Sequence, residues 1–192
     1  MIADLPVTPK RNELLDIASA LFYEQGYGAT GIKQIIDTAG IAKGTFYSHF
    51  SSKDELGLYW LRKRHAIWNE WREEATTKAK DAREKILVCF EILERWMVEN
   101  DYRGCAFLNC MAEIPDCQNP MRQVVAEHKK ASMEAFQSYA VEHFAGLPEE
   151  VGMHKGRVVY LLFEGALVET QNFRELWPVE TARKEVEMIL AG

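Results

Sequence analysis

Apolar residues recur at helical spacing along almost the whole of this 192-residue chain, and no run of alternating apolar and polar residues interrupts the pattern. That feature leaves no strands to pair and predicts an all-α fold. Leu14, Leu15, Ala18, Leu21 and Phe22 share one helix face, and Gly26 and Gly28 stop that helix. Ile32, Ile35, Ile36 and Ala39 make a second, short helix, which Thr30 is placed to cap and Gly40 ends. Lys43 to His49 predict a further two-turn helix, anchored inward by Phe46 and Phe50. Helices this short are marginal alone and must pack on one another. Ser52 three residues before Glu55 reads as a capping box opening a long helix, with Leu56, Trp60, Ile67, Trp71 and Ala75 as its apolar stripe toward Lys80. Further helices are predicted near 82–99, 105–113, 120–144, 149–170 and 179–191, punctuated by Pro115, Asn119-Pro120, Gly146 to Pro148 and Trp177-Pro178.

The length suits one small domain fused to a larger one. With no repeat and no Gly/Ser-rich tether, a continuous helix is expected to join them, dividing the chain into residues 1–52 and 53–192. Net charge first argues against a nucleic-acid partner, because 23 basic and 29 acidic side chains leave −6. The imbalance is local, however. Residues 1–64 hold 8 basic and 7 acidic groups, and the remaining 15 and 22 lie beyond them. Lys10, Arg11, Lys33, Lys43 and Lys53 surround the short helices, so a locally positive face is compatible with an acidic chain.

The first ten residues lack a basic stretch followed by an apolar one, and no apolar run approaches the ~18 residues of a membrane span, so a cytoplasmic location without a membrane partner is expected. Cys89, Cys105, Cys110 and Cys117 are separated by 15, 4 and 6 residues, which fits no common zinc pattern. Free thiols are the expectation, with redox sensing as the alternative. No metal and no cofactor are expected. The remaining histidines, His65, His128, His143 and His154, form no metal-binding motif, and His49 has no acidic or nucleophilic partner at a catalytic spacing. Phosphate-binding loops, nucleophile elbows and dinucleotide fingerprints are also absent from the sequence, which points away from an enzyme.

Two short helices around a tight glycine turn are the ingredients of a helix-turn-helix, whose second helix enters the DNA major groove. With Ile35, Ala39, Ile41 and Phe46 inward, Lys43, Gly44, Thr45, Tyr47, Ser48 and His49 fall on or near the outer surface. They are small or polar donors, as contacts to phosphates and base edges require. Gly44 costs about 1 kcal/mol of helix stability relative to Ala, which close approach to a DNA backbone would offset. An ordinary helical hairpin with a solvated face is the competing reading.

Gly26-Tyr27-Gly28-Ala29-Thr30 and the run from Gly40 through Gly44-Thr45-Phe46-Tyr47, His49-Phe50 and Lys53-Asp54-Glu55-Leu56 resemble the TetR-type transcriptional repressors over residues 9–56. The resemblance implies a three-helix DNA-binding domain, a carboxy-terminal domain that dimerises and senses a ligand, and release of a palindromic operator when a small molecule binds. It places Lys43, Gly44 and Thr45 at base and phosphate contacts, and Tyr47, His49 and Lys53 at phosphate contacts. Thr30 falls at a backbone contact opening the second helix, and Arg11 within reach of phosphate or the minor groove. Ala42 stands where the family usually has Ser or Thr, so the recognition helix lacks a side-chain cap, at a cost of about 1 kcal/mol.

Beyond residue 56 the resemblance is weaker. The segment 157–171 is apolar around its whole circumference, and Val179, Ala182, Val186, Ile189 and Leu190 stripe the last helix. The last two helices are therefore the expected homodimer interface, burial within a monomer being the alternative. A mostly apolar effector cavity is expected among the middle helices, with Trp96, Phe107, Asn109, Met111, Glu113, Phe136 and Phe163 as candidate lining. Asn109 and Glu113, four apart, are candidate polar contacts for a ligand or caps for a neighbouring helix. A buried Glu113 would favour a cationic effector.

Overall fold

A computed structural model describes residues 8–192, and among these the secondary structure is entirely helical: α1 (Pro9–Gln25), α2 (Ile32–Ala39), α3 (Lys43–His49), α4 (Lys53–Thr77), α5 (Ala82–Glu99), α6 (Ala106–Glu113), α7 (Pro120–His143), α8 (Glu149–Phe173) and α9 (Trp177–Ala191). The first seven residues, on which part of the reading of the amino terminus rests, lie outside the described residues. Thr8 caps α1 by accepting from the Arg11 N–H at 3.2 Å, with Pro9 in the first turn, where its missing N–H costs nothing. Gly40 closes α2 in the left-handed conformation (φ 61°) that a side chain would oppose. Ser52 Oγ accepts from the Glu55 N–H at 3.0 Å, and the Glu55 carboxylate returns to the Ser51 N–H at 2.7 Å, so the capping box forms with its return bond shifted by one residue. The last helix starts two residues earlier than its stripe predicts, because Pro178 is tolerated in a first turn.

The chain folds into two compact units. One comprises the residues up to Arg64 with Ala106–Val125, the other His65–Cys105 with Ala126–Gly192. The expected division at residue 52 gives way to one that takes in the first turns of α4 and all of α6. The reason is packing: Leu56, Trp60 and Leu61 are essentially unexposed, and the Trp60 ring lies 5.2 Å from Phe22, which lies 5.1 Å from Tyr27. Leu14, Ala18, Ile35, Phe46 and Phe50 complete this core.

In the second unit α8 pairs with α9, and α5 packs on both. Ile86, Phe90, Leu93 and Met97 of α5 meet Val159, Phe163 and Leu167 of α8 and Val186 of α9 in its core. Gly156 lets α8 approach α7 closely, since a Cβ there would lie 2.5 Å from the Gln137 Cα. The second half of α4 departs from its expected stripe. Trp71 is exposed, Ile67 and Ala75 are half-buried, and Thr76 is buried on a face it shares with Trp68 and Arg72. His65 and His128 meet Nδ1 to Nδ1 at 3.0 Å. Among the described residues no three groups are placed to hold a metal ion, and no helix is long and apolar enough to cross a membrane.

Candidate nucleic-acid interface

Phe46, with no exposed surface, fixes α3 in the core of the first unit, and its ring lies 6.1 Å from Phe50. Anchored on that side, α3 turns Lys43, Gly44, Tyr47 and Ser48 outward, with Thr45 and His49 half-buried at the margins of the same surface. Positions 43/47 and 44/48 are four apart and so lie one turn above each other. A Cβ at Gly44 would meet nothing within 4 Å, so the helix offers bare backbone there. Ser48 Oγ donates to the Thr45 carbonyl at 2.7 Å, leaving its lone pairs to accept. The Lys43 ammonium lies 5.8 Å from the Tyr47 ring and belongs to none of the ion pairs among the described residues. Ala42 caps α3 without a side-chain hydrogen bond, as its identity predicts.

Two expected contributors, Thr30 and Arg11, are engaged inside the fold, and a third, Lys53, stands where expected but in contact with its neighbours. Thr30 is fully buried, and its hydroxyl donates to the Gly26 carbonyl at 2.8 Å, so it ties off α1 while Gly31 caps α2. A buried hydroxyl with a backbone acceptor at hand bonds inward. Arg11 lays its guanidinium over Phe50 (4.5 Å) and Tyr59 (4.3 Å) and 3.5 Å from Glu55, so this cation is consumed by cation–π packing and an ion pair. Burial raises the Glu55 carboxyl, but hydrogen bonds from Ser51 and the charge of Arg11 outweigh it and hold the group below its usual range. Lys53 stands at the start of α4, half-buried, 4.3 Å from the Tyr27 ring and 3.4 Å from the Gly28 carbonyl. Burial lowers its ammonium from the ordinary range against the opposing pull of Asp54 and Glu113. Lys10 and Lys33 pair with Glu13 (3.0 Å) and Asp37 (2.5 Å), so the free positive face is narrower than the sequence suggests. Exposed pairs of this kind are worth about 0–1 kcal/mol, and a phosphate competes with them readily.

Around the base of α4 lies a polar network with no sequence signal. The Tyr27 hydroxyl donates to Asp54 at 2.5 Å, burial and that carboxylate raise it above the usual phenol range, and Asn119 donates to the other Asp54 oxygen at 3.0 Å. The Glu113 carboxylate accepts the Gly28 N–H. Glu113 is exposed, so a buried acid awaiting a cationic ligand is not what this residue provides. Its partner is the turn before α2.

The other expected ligand-lining residues are distributed over both units. Phe107, Asn109 and Met111 belong with Glu113 to α6 of the first unit, and Arg122 closes the end of that helix by donating to the Ile114 carbonyl at 2.7 Å. Trp96, Phe136 and Phe163 are buried in the second unit. There Phe163 is packed against Phe136 (5.3 Å), Phe90 (5.4 Å) and Trp68 (6.1 Å), and the crevice between these rings has only about 10 Å³ free. Aromatic packing leaves this one crevice narrow.

Comparison with known proteins places these features in a wider group. Residues 14–58 match the model of a family described as bacterial regulatory proteins, tetR family. The chain is 26% identical over 191 residues, 94% of each chain, to the HTH-type transcriptional repressor NemR of Escherichia coli (strain K12). Over 50 residues, 26% of this chain and 25% of the relative, it is 48% identical to the repressor KstR2 of Mycobacterium tuberculosis (strain ATCC 25618 / H37Rv). Among solved structures, SCO4454, a TetR-family transcriptional regulator from Streptomyces coelicolor, gives a TM-score of 0.87 at 26% identity, covering 96% of this chain and 89% of that one.

Proposed function

We propose, on the premise that this chain belongs to the TetR family of transcriptional regulators, that it binds a palindromic operator as a homodimer and represses until a small molecule entering the second unit releases it. A cytoplasmic location goes with that role. The observation that carries the reading is the outer face of α3: Lys43, Gly44, Tyr47 and Ser48 exposed together on a helix locked from behind by Phe46. A short helix so held presents donors and bare backbone to a groove without having to order them first. Two copies about one DNA turn apart read the two half-sites, and the exposed apolar side chains of α8 and α9 supply a dimer interface. For release, the effector must bind the DNA-incompetent state better by roughly 3–5 kcal/mol.

Gel-shift titration of the intact protein on the DNA flanking its own gene tests the reading. A specific band that survives competitor DNA is expected, and its absence at low salt would overturn the proposal. Within that assay, Tyr47→Ala and Lys53→Ala should weaken binding to every sequence alike, with Lys53→Ala flattening the salt dependence by about 0.9 per subunit contact. Thr45→Ala should instead change which sequence is preferred. Relaxed sequence preference from Lys53→Ala, with an unchanged salt slope, would show that the roles are assigned wrongly.

One contact favours a second, redox-responsive reading. Lys129 Nζ lies 3.6 Å from the Cys105 sulfur and 2.5 Å from Glu164, so this thiol has a cation at hand. Cys89 and Cys110 have no such advantage, since burial pushes both thiols up to about 12. If Cys105 is the sensor, peroxide releases the wild-type protein from DNA and spares Cys105→Ser. Unchanged wild-type affinity after peroxide removes this reading.

A further inference from the structure

Arg72 stands on the inward face of α4 while Trp71 beside it is exposed, the reverse of what an apolar stripe requires. Its guanidinium enters a crevice of the second unit lined by Trp68, Cys89, Ser132, Phe136, Tyr139 and Phe163. There Nη1 is buried without a hydrogen-bond partner. Arginine cannot shed its proton to escape the cost, as a buried lysine or histidine can. The lining holds no carboxylate. Cys89 supplies no anion either, since burial keeps its thiol protonated and its S–H points to the Lys85 carbonyl at 3.3 Å. Thr76, on the same face, is satisfied by its own helix through the Arg72 carbonyl at 2.8 Å. Asn69 Oδ1 is also buried without a partner, but it is an acceptor outside the crevice lining, so the guanidinium is the unmatched donor within the crevice. A half-buried arginine with one buried N–H group lacking an acceptor beside aromatic rings is a conflict between local pattern and packing of the kind that marks functional positions.

The geometry points to Arg72 as the anchor for an anionic effector, a carboxylate carried on an aromatic or flat apolar body. The guanidinium takes the carboxylate through paired charge-assisted N–H···O bonds, and the faces of Phe136, Phe163 and Trp68 take the apolar part. With about 10 Å³ free, no more than a single water fits the crevice as it stands, so the effector enters by displacing rings. Trp68 and Tyr139, both half-buried, are the rings with least to lose. Displacing Phe136 and Phe163 moves side chains of α7 and α8, so that binding favours one arrangement of these helices over another. The inference rests on the reading of the second unit as the effector site and supplies the ligand chemistry that reading leaves open.

Calorimetric titration of the intact protein with benzoate, phenylacetate and 1-naphthoate, each against its neutral primary amide, tests it. At least one acid should bind more tightly than its amide by about tenfold or more. Arg72→Met, which keeps the volume of the stem and removes the charge, should erase that preference without lowering the melting temperature. Arg95→Met, at an exposed arginine, should leave the preference intact. Equal binding of acid and amide, no binding by any of the acids, or a preference that survives Arg72→Met would each overturn the inference. The wild-type comparison decides alone if Arg72→Met does not fold. Operator release is measured separately. An acid preference without any effect on DNA leaves the site standing and sinks the effector reading, whereas release by other compounds with no acid preference does the opposite.

Discussion

Leu161→Glu is expected to turn the regulator into a folded monomer whose operator affinity is lower by about 100-fold or more. Leu161 is 66% exposed on α8, and the same helix pair leaves Phe173 54%, Trp177 46% and Met188 60% exposed. Monomeric proteins rarely show so many large apolar side chains on one pair of packed helices. In a two-fold interface each substitution occurs twice, so a carboxylate placed there meets apolar surface and its own symmetry mate, and the exposed Arg157 one turn away on the same helix offsets only part of that cost. In the isolated chain the same substitution is an exposed change worth within about 0.5 kcal/mol. The loss therefore falls on association. A palindrome read by two linked heads gains an effective concentration in the millimolar range for the second contact, and monomers forfeit it. Sedimentation should show the monomer and circular dichroism an unchanged helix content. A variant that stays dimeric with wild-type affinity would place the interface elsewhere on the surface.

The helices were legible because each is written in contiguous residues. The periodicity of Ile32–Ala39, the glycine at 40 and the pair Ser52 and Glu55 act within a few positions of themselves, and α2, α3 and the start of α4 follow from them. The exposed face of α3 was legible for the same reason: once Phe46 is inward, helical geometry places Lys43, Tyr47 and Ser48. What escaped was decided by partners far along the chain. Arg11 reads as a solvated cation until Phe50 and Tyr59 come beneath it, and Glu113 as a pocket acid until the Gly28 N–H, 85 residues away, takes its carboxylate. Arg72 reads as part of the polar face of α4, because an alternative apolar stripe through Ile67, Trp71 and Ala75 fits helical spacing equally well. Spacing names the faces of a helix, and tertiary packing chooses among them.

Phe46→Ala should abolish DNA binding by a different route, destabilising the first unit by about 3–5 kcal/mol. Phe46 has no exposed surface, and its ring packs edge-on to Tyr47 at 5.3 Å and beside Phe50 at 6.1 Å. It is also the residue of the seven in α3 that is buried. A helix of two turns without a side-chain cap has almost no stability of its own, so its position depends on that one ring. Removing the ring leaves a cavity that Ile35 and Phe50, themselves essentially unexposed, can fill only by pulling away from their own contacts. Natural domains hold only about 5–15 kcal/mol in total, so a loss of this size in a small unit populates its open form even in water. Amide exchange should then quicken throughout α1, α2 and α3, while α8 and α9 keep their protection and the chain remains a dimer. That split separates the two failures: Leu161→Glu removes the second reading head from the complex, and Phe46→Ala leaves both heads in place and unfolds them. Binding retained by Phe46→Ala, or exchange that rises uniformly along the chain, would show that α3 is held by something other than this side chain.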